Sequence, residues 1–391
     1  MDESRPQPAI PRKSASARPD VAIHLYEPGD GGLDRVAIHL ANGFAARGLT
    51  TEIWLTRTEG ASRHLLSDSV TIRMIPGMKA PRGLALATQI PVLRQMIRQV
   101  RPRVMLSAGN QSNPVIALAC MGSDTAAIGK ITNPIIRPGQ TGFGARWRMM
   151  RFRKVTGWSA AMVSLGAGEV DMLAALWPES ADKLHFLPLP TVTAPMAAIG
   201  AARLSNPPAR PDGGPVQLLS IGRLAFQKDP ETMLRALALV RTVDWRMTMV
   251  GDGPLRGEAE MLAQELGIAD RVHFAGYVAD PAPFLEAADF LILSSRWEGL
   301  CAVAMEALAC GCGVVATNCS PSLTALLAQT ECPVPVPVED AHALARSIDH
   351  AVTHPAPLPQ LIAAAAPYAM DAAIDAHIAL FDQLTEKRAV R

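Results

Sequence analysis

No apolar run in the 391 residues reaches the eighteen or so needed to cross a membrane. Residues 1–19, MDESRPQPAIPRKSASARP, have no apolar core of the kind a secretion signal needs, and their Pro, Ser and Arg content reads as a flexible tail. Metal-site spacing is missing too. Cys310 and Cys312 stand one residue apart with no histidine near them, which is neither a zinc pattern nor a thioredoxin-like one. The six cysteines therefore read as reduced, buried, small apolar residues of a cytosolic protein. Charge is modest at 19%, against 49% hydrophobic residues, which excludes a disordered chain and permits large cores. No nucleic-acid partner is expected at a net charge of +1.

That near-neutral total conceals a division. Residues 1–195 hold 23 basic and 14 acidic residues, a net +9, whereas residues 196–391 hold 14 and 22, a net −8. A basic half suits an anionic surface or a phosphate-bearing substrate.

The basic half opens with VAIHLYEP (Val21–Pro28), a buried-strand pattern. GDGGLDRVAIHLANGFAARG follows, a glycine-rich turn feeding a helix in which Val36, Leu40 and Phe44 recur at helical spacing and which Gly48 can end. TEIWLTR is the next strand, so strand, turn, helix and strand make a βαβ unit, the building block of parallel sheets. RVMLSAG and AAMVSLG read as further buried strands ending in glycine. Residues 196–215, rich in Pro, Gly and Ala without strand alternation, read as an interdomain linker. The acidic half repeats the logic: VQLLSIGRL, WRMTMVGDGP, RVHFAGYV, FLILSS and GVVATN are strands separated by helical segments, and residues 367–390 look helical. The expected architecture is α/β, two doubly wound parallel-sheet (Rossmann-like) domains, 20–195 and 216–365, facing a central cleft.

RWEGLCAVAMEALACG (Arg296–Gly311) places Glu298 in the loop after the strand FLILSS and Glu306 inside the following helix. The amides of Leu300, Cys301 and Ala302 sit at the helix start, where unpaired N–H groups and the dipole favour an anion. A phosphate there would be flanked by two carboxylates suited to hydroxyl groups, the layout of a nucleotide sugar. GRLAFQKD adds Arg223 and Lys228 just past another strand's carboxyl end, a planar fork and a point charge suited to a diphosphate.

GRLAFQKD, VGDGPLR, RVHFAGYVADP and LSSRWEGLCAVAMEALACGCGVVAT, in that order and spacing, resemble the second domain of family 4 glycosyltransferases of the GT-B fold, including their E-x7-E motif. The first half resembles the family through GDGGLDRVAIHLANGFAARG. The resemblance implies that Glu306 binds ribose hydroxyls and that Glu298 binds the transferred sugar, aided by the backbone of Gly299, Leu300, Cys301 and Ala302. It implies that Arg223 and Lys228 hold the diphosphate, and that the loop Gly276, Tyr277 and Val278 holds the base. Gly31 and Gly32 would let the first domain approach the phosphates. It further implies a retaining transfer that needs no metal and no cofactor beyond the donor, a uridine-linked sugar by family frequency. A C-terminal helix over 366–391 would pack back on the first domain. The chain departs from the family at Cys301, where Gly or Pro is common and a side chain would crowd the donor. NCSPSLTALL lacks the usual acidic residue and glycine pair. SAGNQSNP carries Asn110, Gln111 and Asn113 where many relatives have a histidine; an amide can hold a sugar or acceptor group but is no base. His24 and His39 read as structural.

RWRMMRFRK interleaves Arg146, Arg148, Arg151, Arg153 and Lys154 with Trp147, Met149, Met150 and Phe152. At 100° per residue the two kinds do not form clean faces within this segment, yet the mixture and the +9 charge favour an anionic membrane surface. The expected acceptor is a glycan or lipid-linked molecule, and the expected location cytoplasmic, peripheral on the inner membrane face. A nucleotide-sugar epimerase, a phosphorylase and a non-catalytic nucleotide- or glycan-binding protein are the competing readings. The phosphorylase would be longer, and the binding protein would have lost the cations or glutamates. A dinucleotide oxidoreductase finds only a partial motif in GDGPLRG.

Overall fold

The computed structural model describes residues 18–29, 32–76, 86, 88–133, 135, 142–207, 214–241, 243–299 and 301–389. Gly31, Leu300, most of the tail 1–19 and part of the segment 196–215 lie outside the described residues.

The described residues form two wholly parallel sheets. The first contains β1 (Val21–Leu25), β2 (Thr51–Leu55), β3 (Thr71–Met74), β4 (Val104–Ser107), β5 (Ala126–Ile131), β6 (Ala161–Ser164) and β7 (Leu184–Phe186), in the order β3-β2-β1-β4-β5-β6-β7. The second contains β8 (Val216–Ile221), β9 (Trp245–Val250), β10 (Val272–Gly276), β11 (Phe290–Leu293) and β12 (Gly313–Ala316), in the order β10-β9-β8-β11-β12. Central strands such as β1, β4 and β11 are buried at every position, as parallel sheets covered by helices on both faces require. In each sheet the strand order reverses once, between β1 and β4 and between β8 and β11. Loops diverge at such switch points and leave a crevice at the strands' carboxyl ends.

Three strands escape the sequence pattern: β3, β5 and β7. β5 is AAIGKI, whose alanines and glycine have weak strand preference, and burial between neighbours decides its conformation. The expected linker needs a larger correction. Residues 194–205 form a helix, Ala194–Ser205, with Pro195 in its first turn, packed on helices Ala302–Ala309 and Leu358–Ala365. Its alanines favour helix, and the small residue Gly200 permits contact with the Ala309 carbonyl, so this segment belongs to the second domain.

The chain crosses between the domains twice, side by side. The Val192 amide donates to Tyr368 O (3.1 Å), and the Met370 amide donates to Val192 O (3.1 Å). Helix Met370–Ala389 then lies on helix Gly32–Ala46 of the first domain. Phe44 meets Phe381 edge-on at 5.1 Å, and Arg47 pairs with Asp371 (2.8 Å) and Asp375. One continuous apolar core runs through both domains.

Two basic groups are enclosed near this last helix without counter-charges among the described residues. Lys130 on β5 is 3% exposed, and burial lowers its pKa to about 7. His377 is 1% exposed; burial holds its pKa down at about 3, with Lys130 adding to the effect. Between the folded Lys130 value near 7 and the ordinary 10.5, the unfolded chain binds a proton that the folded chain lacks, so stability rises with pH across that window. Lys130→Met is expected to raise the melting temperature at pH 7, with the difference shrinking as pH approaches 10.5. A pH series of thermal melts checks this, and a destabilised variant at pH 7 would refute the assignment.

Candidate active site

The second sheet's switch point carries the densest set of polar contacts tied to the motifs. Ser294 and Ser295 follow β11, and Gly222 to Lys228 follow β8. The two loops are laced together. The Arg296 amide donates to Gln227 O (2.8 Å), Gln227 Nε2 donates to Trp297 O (2.9 Å), and Ser294 Oγ donates to the carbonyls of Lys228 (2.9 Å) and Asp229 (2.8 Å). Asp229 adopts φ +50°, a left-handed conformation that aspartate tolerates better than most residues. It caps helix Pro230–Leu239 by accepting from the Thr232 amide (3.3 Å), and Arg296 pairs with it at 3.2 Å.

This lacing brings Lys228 and Glu298 together. Lys228 Nζ lies 2.6 Å from Glu298 Oε1, which also accepts from Ser295 Oγ at 2.9 Å. Oε2 has one long contact, from Gln227 Nε2 at 3.4 Å. Glu298 is 8% exposed, so it needs these partners. Burial works against the ammonium of Lys228, but the neighbouring charges outweigh it and its pKa is raised. Glu298 supplies that effect at neutral pH. Cys301 adds to it only once ionised, and burial pushes the Cys301 thiol up to about 11. Lys228 thus stays charged with donors to spare, and Oε2 remains open to a hydroxyl. Arg223, exposed on the same loop as Lys228, has no partner among the described residues.

Cys301 does not crowd the cleft. It is 4% exposed and packs in the core behind the ion pair. Its backbone is extended (φ −69°, ψ 105°), and helix Ala302–Ala309 begins at the next residue. Gly299 has a different task. A β-carbon there would stand 2.6 Å from Thr132 O of the first domain, so only glycine permits this approach. Gly166 meets Ser322 across the same boundary, and helices Ala167–Leu176 and Pro321–Leu327 pack together beside it.

Glu306, in helix Ala302–Ala309, is half-buried and its carboxylate has no hydrogen-bond partner among the described residues. Burial raises its pKa to about 7, opposed by Arg35. Gly276, at φ +73°, turns the chain at the end of β10 in a conformation L side chains rarely adopt; Tyr277 beyond it is 63% exposed and Val278 packs on the core. Arg35 was not singled out in the sequence. It lies in helix Gly32–Ala46 beyond the exposed Gly32, and its Nη1 donates to Ala279 O (3.4 Å) across the domain boundary. Nothing in the residue pattern marks it; only the assembled cleft does.

The three amides after β4 divide. Asn113 is buried, and both ends of its amide serve Lys130: Nδ2 donates to Lys130 O (3.0 Å) and Oδ1 accepts from the Lys130 amide (2.9 Å). Asn110 likewise accepts from the Thr132 amide and donates to Asn133 O, both at 3.0 Å. These two hold the loop beside β5 in place; Asn113 is enclosed with its amide committed to the backbone, while the half-buried Asn110 keeps a second N–H. Gln111 is exposed, with no partner among the described residues. His24 is buried against Gln89 (3.3 Å), and burial lowers its pKa to about 4. GDGPLRG is a packing loop: a β-carbon at Gly251 would collide with Gly222 O at 2.1 Å and one at Gly253 with Leu224 O at 2.3 Å.

Two facing doubly wound domains with this loop pair at the second switch point define the GT-B architecture. The family model "Glycosyl transferases group 1" matches residues 205–367, and "Glycosyl transferase 4-like domain" matches residues 31–190. The chain belongs to this family 4 type and is an enzyme of the glycosyltransferase class. It is similar to the lipopolysaccharide core biosynthesis glycosyltransferase LpsE of Rhizobium meliloti (strain 1021), 26% identical over 341 residues, 84% of this chain and 88% of that one. Its fold matches sucrose-phosphate synthase from Thermosynechococcus elongatus (TM-score 0.74, 19% identity, covering 94% of this chain and 99% of that one). It also matches Anabaena HepE in complex with UDP and glucose (TM-score 0.65, 16% identity, covering 95% and 99%).

The Glu306 shift has a sign. Between pH 4.5 and about 7 the folded chain keeps a proton there that the unfolded chain has released, so this contribution to stability is present below 4.5 and lost as pH rises through 7. Glu306→Gln is expected to raise the melting temperature of the unliganded protein at about pH 8 and to leave it unchanged below 4.5. Scanning fluorimetry at both pH values reads this; equal shifts at the two would contradict it.

Proposed function

We propose that this enzyme transfers a sugar from a UDP-sugar to a lipid-linked or glycan acceptor, with retention of configuration and without a metal, in surface polysaccharide or glycolipid synthesis. The observation that carries the reading is the Lys228–Glu298 pair at the β8/β11 switch point, with Arg223 on the Lys228 loop and Glu306 in the helix after Glu298, neither partnered among the described residues. Arg223, Lys228 and the start of helix Ala302–Ala309 supply fixed positive charge for a diphosphate. That charge is worth more as the diphosphate departs and becomes more negative than in the ground state. Glu298 Oε2 accepts from a hydroxyl of the transferred sugar, and Glu306 accepts from the ribose. The bond from the anomeric carbon to the phosphate oxygen breaks as the acceptor oxygen bonds to the same face of that carbon, and the acceptor proton passes to the departing phosphate. The arrangement then has no need of a separate acid/base carboxylate pair. The complex of HepE with UDP and glucose and the lipopolysaccharide role in the name of LpsE support the donor and pathway class.

The acceptor side rests on helix Phe143–Trp158. The full helix sorts its residues more cleanly than the nine-residue segment alone. Phe143, Trp147, Met150, Lys154 and Trp158 follow i, i+4, i+7, i+11 and i+15 spacing, one stripe. The four apolar members are 85%, 47%, 52% and 42% exposed, while Phe152 and Val155 are buried on the other face. Arg146 and Arg151 flank the stripe, Arg151 lying over the Trp147 ring at 5.6 Å. Arg153 is tied to Glu179 (2.7 Å), and Arg148 is half-buried toward the protein. Aromatic tips flanked by cations suit an anionic bilayer surface and would hold the enzyme beside a lipid-linked acceptor. No helix among the described residues is long and apolar enough to cross a membrane.

Thermal-shift screening of nucleotide sugars identifies the donor. Against it, Lys228→Ala is expected to lose about a hundredfold in kcat, the scale of one lost electrostatic contact to a leaving group. Glu306→Ala is expected to raise donor KM about tenfold, as the loss of a charged hydrogen-bond acceptor does. Full activity in both variants would overturn the site. Co-sedimentation with anionic vesicles at low salt is expected to fall in the variant Arg146→Glu/Trp147→Ala/Arg151→Glu; unchanged binding would remove the membrane role of this helix.

A further inference from the structure

Glu306 and Arg35 come from different domains yet lie near enough for the arginine's charge to act on the carboxylate, and among the described residues neither has a full set of partners. The Glu306 carboxylate accepts no hydrogen bond among the described residues, although it is half-buried and a carboxylate there needs donors. Arg35 has five N–H donors. One of them goes to Ala279 O at 3.4 Å, the only hydrogen bond of its side chain among the described residues. No ion pair closes between Arg35 and Glu306 within 4.0 Å, although the arginine's field reaches the carboxylate. Ala279 follows the loop Gly276–Val278, which ends β10. The guanidinium therefore stands at the boundary between that loop and Glu306, carried there by helix Gly32–Ala46 from the first domain's own switch point.

A carboxylate lacking donors and a guanidinium with spare donors, held apart at one end of a crevice, suit a group that carries both donors and acceptors. A nucleoside does: its ribose hydroxyls donate to the carboxylate, while its base and ring oxygens accept from the guanidinium, whose plane can also stack on the base. We propose that Arg35 is a positioning residue for the donor nucleoside, reaching from the first domain between the Gly276–Ala279 loop and the ribose-binding Glu306. The inference rests on the donor-site reading given above.

Isothermal titration of the full-length protein with UDP, and in parallel GDP, tests the proposal. Arg35→Ala and Arg35→Met are expected to weaken binding of whichever nucleotide the wild type takes by about tenfold, the size of a lost charge-assisted hydrogen bond. Donor KM should rise by a similar factor with kcat within about twofold, and Arg35→Lys should restore part of the affinity. Combining Arg35→Ala with Glu306→Ala should cost less than the product of the single effects, because both act on one nucleoside. Unchanged nucleotide affinity in both Arg35→Ala and Arg35→Met, with Glu306→Ala still weakening it, would overturn the role of Arg35 and leave the donor site standing. A fall in kcat at unchanged affinity would make Arg35 a strut between the domains and overturn it as well. If Glu306→Ala also binds normally, or the wild type binds neither nucleotide, the donor-site reading itself fails and this proposal with it.

Discussion

Lys228 and Glu298 can occupy the mouth of the second domain only as a pair. Removing Lys228 would leave the enclosed Glu298 carboxylate without its counter-charge, a cost of several kcal/mol by analogy with other buried pairs (about 3–5). Much of the local architecture serves to bring them within 2.6 Å. The β8 and β11 loops are laced through Gln227, Ser294 and Arg296. Asp229 is held in a left-handed turn so that its helix starts at Pro230, the second residue past Lys228. Ser295 takes up the same carboxylate oxygen as the lysine, leaving the other oxygen thinly bonded. Fixed charge in a shielded crevice is the resource a transferase uses to stabilise a departing diphosphate, since no reorganisation is needed when the bond breaks.

The second constraint is the boundary between the domains. It is built from close backbone approaches rather than from a broad apolar plate alone: Gly299 against Thr132 and Gly166 against Ser322. Side chains at these glycines would hold the domains apart. Behind the cleft, the chain crosses and returns as a hydrogen-bonded pair at Val192 and Ala369, and the last helix anchors on Phe44 and Arg47 of the first domain. Such a closure places the carboxyl ends of both sheets opposite each other. The loop after β5 then meets the loop after β11 at Thr132 and Gly299, and Arg35 reaches the Gly276–Ala279 segment.

Most of the fold was legible because parallel strands announce themselves as short apolar runs ending in glycine, and because the helices between them carry a 3.6-residue stripe. What escaped had a physical reason in each case. β5, AAIGKI, separates its two isoleucines with glycine and a buried lysine and opens on two alanines, so no run of strand formers marks it. The helix Ala194–Ser205 lay hidden in Pro-, Gly- and Ala-rich sequence, whose alanines are helix formers once a neighbouring surface is present. Asn110 and Asn113 look like ligand amides in the sequence, yet the backbone of β5 and its following loop claims them. Cys301 looked like an obstruction; an extended backbone turns its thiol into the core.

The sequence by itself determined the class of protein, the glycosyltransferase loops and the residue types at the donor site, because spacing along one strand–loop–helix unit is a local property. It placed Glu298 and Glu306 eight residues apart on such a unit and put Arg223 and Lys228 after another strand. Tertiary structure alone decided which of these touch. It paired Lys228 with Glu298, left Glu306 without donors among the described residues, and brought Arg35 from 271 positions away in the chain to the Gly276–Ala279 loop. Contacts between distant segments depend on strand order and on how two domains close, and neither is written in the spacing of residues along the chain.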